Sequence, residues 1–245
     1  DDPCQGCATS QLTFNQQGIF MILKKTAIGP LLFPPEGMIK STQGLRLTLI
    51  AYLIRGDILE IGSWVGKSTS YLATGLRLSG AARRFVSIDN HFKGRKEFEN
   101  FFKVNLDKCS EERKNLYLRH LTRRGGTVES LKENLDDRAL LSYVDIRCGD
   151  FLDFENDENS FEFVFCDATH NSTEIKRNVP KIISMLKEDA IMACDDFRYP
   201  DMLPALDEIH RFERIYLHKY MLFASRGRKA NKTLKLSCFG CRKIR

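Results

Sequence analysis

From residue 57 onward, short apolar runs ending in turn residues alternate with longer stretches whose apolar positions recur every three or four residues. The short β-branched or aromatic runs predict strands, and the three-and-four spacing predicts helices. Strands are expected over 57–61, 84–88, 144–148, 161–165 and 190–194, with one or two closing strands over 215–224 and a further candidate over 233–236. Helices are expected over 41–54, 67–78, 97–106, 175–186 and 203–212. The first would present Leu45, Leu49, Tyr52 and Leu53 on one side, and the third Phe98, Phe101, Phe102 and Leu106.

Alternation of this kind implies a mostly parallel sheet covered by helices on both faces. The expected fold is therefore a doubly wound α/β domain with a seven-stranded, Rossmann-like sheet. It would span 41–226, with an N-terminal extension over 1–40 and a basic, cysteine-containing tail over 227–245. The segment 107–137 carries more charge than such a core needs. It predicts a helical insertion, either covering a substrate pocket or forming a solvated helix pair.

Composition adds limits. Hydrophobic residues at 42% and charged residues at 29% suit a globular chain. No apolar run approaches the roughly 18 residues of a membrane span. The formal charge of +6 is concentrated near the end, from Arg226 and Arg228 to Lys243 and Arg245. These charges form no aromatic-interleaved stripe of the kind a single-strand binder shows, so a solvated tail is expected and nucleic acid is not.

The most informative stretch runs from Asp57 to Thr69. A buried strand ends at Ile61, a turn holds Gly62 and Gly66, and a helix starts near Lys67. Glycine lets backbone approach a ligand closely, and a helix N-terminus offers free N–H groups to an anion. A P-loop is excluded because only Ser63, Trp64 and Val65 separate the glycines. A dinucleotide fingerprint is excluded because Trp64 stands where its second glycine would be.

Glu60-Ile-Gly-Ser-x-x-Gly-x-Ser-Thr resembles the first motif of class I methyltransferases, in the form found in catechol O-methyltransferases and in sugar and macrolide O-methyltransferases. The resemblance implies that Glu60, Gly62, Ser63, Gly66 and Ser68 surround the methionine part of S-adenosylmethionine. Glu60 would face the cationic ligand, and Trp64 would lie near the sulfonium or in the core. Asp89, followed by Asn90, ends the second strand, where an acid can accept both ribose hydroxyls. Gly149, Asp150 and Phe151 resemble the family's adenine-contacting segment, with Asp150 on the exocyclic amine and Phe151 stacking on the base.

Asp167 ends the fourth expected strand, and Asp195 and Asp196 end the fifth. Neighbouring strand ends meet in one crevice, so the three carboxylates would repel one another unless a divalent cation joined them. Oxygen ligands suit Mg²⁺, with Mn²⁺ or Ca²⁺ as alternatives. The resemblance places all three acids at metal positions of the catechol enzymes, where the third is usually Asn. It also places Asp167 beside the donor and His170 at the general-base position. A metal would act as a Lewis acid on the acceptor hydroxyl, and His170 would take its proton.

Of the 8 cysteines, Cys148, Cys166 and Cys194 lie at strand ends and read as small buried hydrophobes. Cys4 and Cys7 at one end and Cys238 and Cys241 at the other form two C-x-x-C pairs. These suit a structural Zn²⁺ site if the ends meet in space, with disulfides or free thiols as alternatives. The cytoplasm is the expected compartment, or the secretory pathway if disulfides form.

The leading expectation is a metal-dependent O-methyltransferase acting on a small hydroxylated acceptor (a sugar, glycoside or phenol), compatible with a homodimer. A metal-independent N- or RNA-methyltransferase using the basic tail is the second reading, and a non-catalytic binding protein the third.

Overall fold

The computed structural model describes residues 14–155, 160–168, 172–197, 212–218 and 220–244. Five segments form parallel strands: β1 (Asp57–Ile61), β2 (Phe85–Asp89), β3 (Asp145–Cys148), β4 (Phe161–Cys166) and β5 (Leu186–Cys194). Two antiparallel strands follow, β6 (Arg214–His218) and β7 (Met221–Arg226). A short β8 (Arg242–Lys243) pairs with β6. The order is β3-β2-β1-β4-β5-β7-β6-β8, so the sheet has eight strands rather than the seven expected.

The helices are α1 (Phe14–Lys25), α2 (Gly29–Leu32), α3 (Ser41–Leu53), α4 (Lys67–Ser79), α5 (Arg95–Phe102), α6 (Glu111–Leu121), α7 (Gly126–Asp136), α8 (Ser172–Met185) and α9 (Arg228–Ser237). Side-chain alternation along the strands divides the core into two layers. Leu59, Ile61, Val86, Ile88 and Val164 pack with Ile175, Val179 and Ile182 of α8. Ile58, Phe85, Phe163, Phe165 and Ile191 pack with α3, α4, α7 and α9. Glu60 has the same parity as Ile58 and so points toward α4.

Three expectations are corrected. The face of α3 that turns inward carries Leu47, Ile50 and Ala51, whereas Leu45, Leu49 and Tyr52 are 49%, 38% and 47% exposed. The reason is close packing on α4, where the Thr48 hydroxyl donates to the Tyr71 carbonyl at 2.9 Å. In α5 the helix stops at Phe102, and Lys103 caps it in the left-handed region. Phe98 and Leu106 are buried, but Phe101 and Phe102 lie largely outside.

The C-terminal segment is folded rather than a solvated tail. Residues 233–236 are helical, not a strand, and belong to α9. That helix buries Ala230, Leu234 and Ser237 while its basic residues face out. Its apolar spacing is helical, and the adjacent charge masked it in the sequence. The helix expected over 203–212 lies outside the described residues except for Phe212, which is buried.

Candidate active site

The turn after β1 is built by left-handed backbone. Gly62 has φ +87° and Gly66 φ +96°. A Cβ on Gly62 would stand 2.8 Å from the Asp167 carbonyl oxygen, so the end of β4 approaches the turn as only glycine permits. The strand ladder continues into the loops. Gly62 N–H donates to the Ile88 carbonyl, Asp167 N–H to Ile61, Gly149 N–H to Asp89 and Asp195 N–H to Cys166. Five strand ends are thereby locked side by side at the carboxyl edge, where ligands bind in such sheets.

Non-glycine residues also adopt positive φ along this edge: Trp64 at 49°, His91 at 50° and Asp196 at 55°. Each sits just after a strand. Backbone in this region costs roughly 1–3 kcal/mol per residue and persists where surrounding structure holds it.

Glu60 is fully buried beneath the turn. Its Oε2 accepts the Thr69 hydroxyl at 2.6 Å and the Ser87 hydroxyl at 2.7 Å. Burial pushes its carboxyl from 4.5 up to about 7. The hydroxyls of Ser68, Thr69 and Ser87 oppose the rise, and the charge of Asp89 adds to it. The other Glu60 oxygen, Oε1, has no hydrogen-bond partner among the described residues. Ser63 is also buried, and its hydroxyl has no hydrogen-bond partner among the described residues.

Asp89 ties two loops together. Its Oδ2 accepts the Trp64 N–H and its Oδ1 the His91 N–H, both at 2.8 Å. Ionised oxygens carry about four acceptor sites in all, so capacity remains for ribose hydroxyls. Asn90, next in the chain, is exposed. His91 is buried, and burial lowers its pKa, favouring a neutral ring, against the opposing pull of Asp89. Neither its position nor that of Thr127, whose hydroxyl accepts the Phe92 N–H, was legible in the sequence.

Beyond β3, an open cleft of about 480 Å³ is lined by Ile88, Cys148, Gly149, Asp150 and Phe154, among others. Cys148 is exposed rather than buried. Asp150 Oδ1 accepts the Leu152 N–H at 2.9 Å. Phe151 is not on this cleft. It is 4% exposed and packs in the core, with Lys181 Nζ 5.4 Å from its ring. Its neighbour Leu152 gives Lys181 a carbonyl acceptor, which holds this packing in place. The aromatic residue that reaches the cleft is Phe154.

At the other end of the crevice Asp167 is half-buried, and desolvation with the charges of Asp195 and Asp196 holds its carboxyl well above the usual range. Asp195 Oδ1 accepts an N–H from the Gln43 side chain at 3.0 Å. Among the described residues, no three acidic, histidine or cysteine side chains stand close enough together to form a ready cation site. His170 lies outside the described residues. Gln43, on α3, was missed because nothing near it in sequence marks it.

The insertion docks on Trp64. The indole centroid lies 5.5 Å from Phe98, 5.6 Å from Tyr117 and 6.4 Å from His120. The N-terminal segment joins the same assembly: Glu36 pairs with Arg119 at 2.5 Å, Lys67 Nζ donates to the Gly37 carbonyl, and Tyr117 donates to the Met38 sulfur. Trp64 thus supports the insertion, while its backbone N–H serves Asp89.

Cys238 and Cys241 adjoin each other, and a hydrogen bond between them lowers Cys241 to about 7 while raising Cys238. Cys4 and Cys7 lie outside the described residues.

This doubly wound sheet, with its glycine turn and acids at successive strand ends, defines a class I S-adenosylmethionine-dependent methyltransferase. The chain belongs to the methyltransferase domain family, whose pattern matches residues 59–197. No curated protein sequence matches it. Among solved structures, the O-methyltransferase NovP is 17% identical, over 78% of this chain and 82% of NovP, with a TM-score of 0.56. An S-adenosylmethionine-dependent O-methyltransferase from Thermotoga maritima is 14% identical over 82% and 71%, with a TM-score of 0.51. A tRNA (m1A58) methyltransferase, TrmI, from Aquifex aeolicus is 17% identical over 83% and 76%, also at 0.51. Likeness at this level shows a shared fold and leaves the acceptor open.

Proposed function

We propose that the protein transfers the methyl group of S-adenosylmethionine to a hydroxyl oxygen of a small acceptor such as a sugar, glycoside or phenol. The observation that carries this reading is the locking of the β1, β2, β3 and β4 ends around the Gly62–Gly66 turn, with Asp89 bonded to both flanking loops. In this reading Asp89, with Asn90 beside it, takes the ribose hydroxyls. Asp150 takes the adenine amine, and Phe154 replaces Phe151 as the stacking ring. Ser63, Ser68 and the first N–H groups of α4 meet the donor's amino-acid end. Glu60 supplies negative potential beneath the sulfonium.

The donor supplies an electrophilic methyl carbon, and the protein must hold the acceptor oxygen in line with it at roughly 3 Å. His170 takes the acceptor proton. Asp167, Asp195 and Asp196 would hold a divalent cation, which would act as a Lewis acid on the acceptor. Support for this part is the Asp167 carboxyl, raised by desolvation and by the charges of Asp195 and Asp196, whose repulsion a cation would relieve. It requires the three carboxylates to close up beyond the arrangement described above.

Calorimetric titration of S-adenosylmethionine in Mg²⁺ and in EDTA tests both parts, with Asp89→Ala and Asp196→Ala alongside. Donor binding lost in Asp89→Ala supports the donor site, and absence of binding by the wild type sinks it. Methylation of hydroxylated acceptors that stops in EDTA and in Asp196→Ala supports the cation, whereas full activity in EDTA removes it.

A further inference from the structure

The C-terminal pair Cys238 and Cys241 lies outside the methyl-transfer site. Cys238 caps α9, and the chain turns at once toward β8. Cys241 N–H donates to the Cys238 carbonyl at 2.9 Å, closing a four-residue turn in which Gly240 takes φ +76°. Such a turn brings its first and last Cα atoms within about 7 Å, overlapping the span of roughly 4.4–6.8 Å that a disulfide bridges. Both side chains also pack on the same apolar layer, Cys238 inside it and Cys241 at its edge. Both are thiols in this structure.

The turn is braced from outside. Arg46 of α3 donates through Nη1 to the Ser237 carbonyl at 2.8 Å, fixing the end of α9. Phe239, between the cysteines, is 87% exposed, so the turn projects into solvent with one face open to reagents. Cys238 is 2% exposed, and Cys241 is half-buried and accessible. The two sulfurs thus differ in access while sharing one turn, the arrangement of an attacking thiol and a resolving thiol.

We infer that Cys238 and Cys241 form a reversible intramolecular disulfide by exchange with a low-molecular-weight disulfide of the glutathione class. The accessible Cys241 thiolate attacks one sulfur of the small disulfide, and the first small thiol leaves. Cys238, as thiolate, then attacks the Cys241 sulfur of the mixed disulfide and expels the second. The protein dithiol is oxidised by two electrons, the small disulfide is reduced to two thiols, and the two cysteine protons end on those thiols. The new bond staples the end of α9 to the start of β8, the edge strand paired with β6. This inference stands apart from the acceptor assignment.

The test equilibrates the full-length protein in reduced and oxidised glutathione mixtures, quenches with acid, alkylates free thiols and maps peptides by mass. The expected product is a peptide linking Cys238 to Cys241, lighter by two hydrogens and lost on reduction. In Cys238→Ser a glutathione adduct accumulates on Cys241. In Cys241→Ser the buried Cys238 takes up far less. Single alkylation of both thiols at every poise would overturn the inference, as would links from either to Cys4 or Cys7. One equivalent of zinc per chain, released only when these thiols are modified, would also overturn it in favour of a metal site. The wild-type measurement stands even if a variant fails to fold.

Discussion

The Asp89 carboxylate accepts the backbone N–H of Trp64 at 2.8 Å, so the acid at the end of β2 fixes the turn that follows β1. Its other oxygen fixes the loop at His91. Two left-handed non-glycine residues are therefore held by one side chain.

An Asp89→Asn substitution replaces one acceptor oxygen by a donor that faces a backbone N–H. The expected cost is about 1–3 kcal/mol for an unsatisfied group, read by urea unfolding. Donor affinity should fall as well. An unchanged unfolding midpoint would show that the two loops hold themselves.

Glu60 titrates near 7 when folded, against 4.5 ordinarily. The unfolded chain loses this proton first as pH rises, so folding stability from this group is full below 4.5 and falls between 4.5 and 7. The expected loss is on the order of 3 kcal/mol. Glu60→Gln should be stabilising relative to wild type at pH 8 but not at pH 4.5. Donor affinity should rise from pH 6 to 8 in the wild type and stay flat in the variant. Equal pH profiles of stability would refute the assignment.

Trp64→Ala removes the ring on which Phe98, Tyr117 and His120 pack. A loss of about 3 kcal/mol, the lower end for truncating a large aromatic side chain, is expected because Trp64 is half-buried. Hydrogen exchange should quicken in α5, α6 and α7 more than in β4 or β5. Uniform change across the chain would mean that the insertion is anchored elsewhere.

Leu234 is wholly buried although it lies among lysines. Leu234→Ala should cost about 2–5 kcal/mol, whereas a change in a solvated tail stays within about 0.5 kcal/mol. Thermal unfolding separates these outcomes directly.

The alternation of strands and helices was legible because fully buried strands must be apolar and their ends must turn. The glycine turn was legible because Gly62 and Gly66 have positions that larger residues strain. Acids at strand ends could be read as candidates because chain order fixes which strand each one terminates. Local pattern did not reach the rest. Leu45, Leu49 and Tyr52 look like a core face until α4 is seen to take the opposite side of α3. Which of Phe151 and Phe154 reaches the cleft is decided only by packing, which buries Phe151 beside Lys181 of α8. The basic end reads as a tail until Leu234 finds the sheet.

The sequence by itself determined the doubly wound architecture and the set of residues at its carboxyl edge, because both follow from periodicity and order along the chain. Only the tertiary structure decided which of those side chains face the crevice, which lie beneath it and which thiols meet. Side-chain direction depends on neighbours distant in sequence, and that information arises when the layers pack.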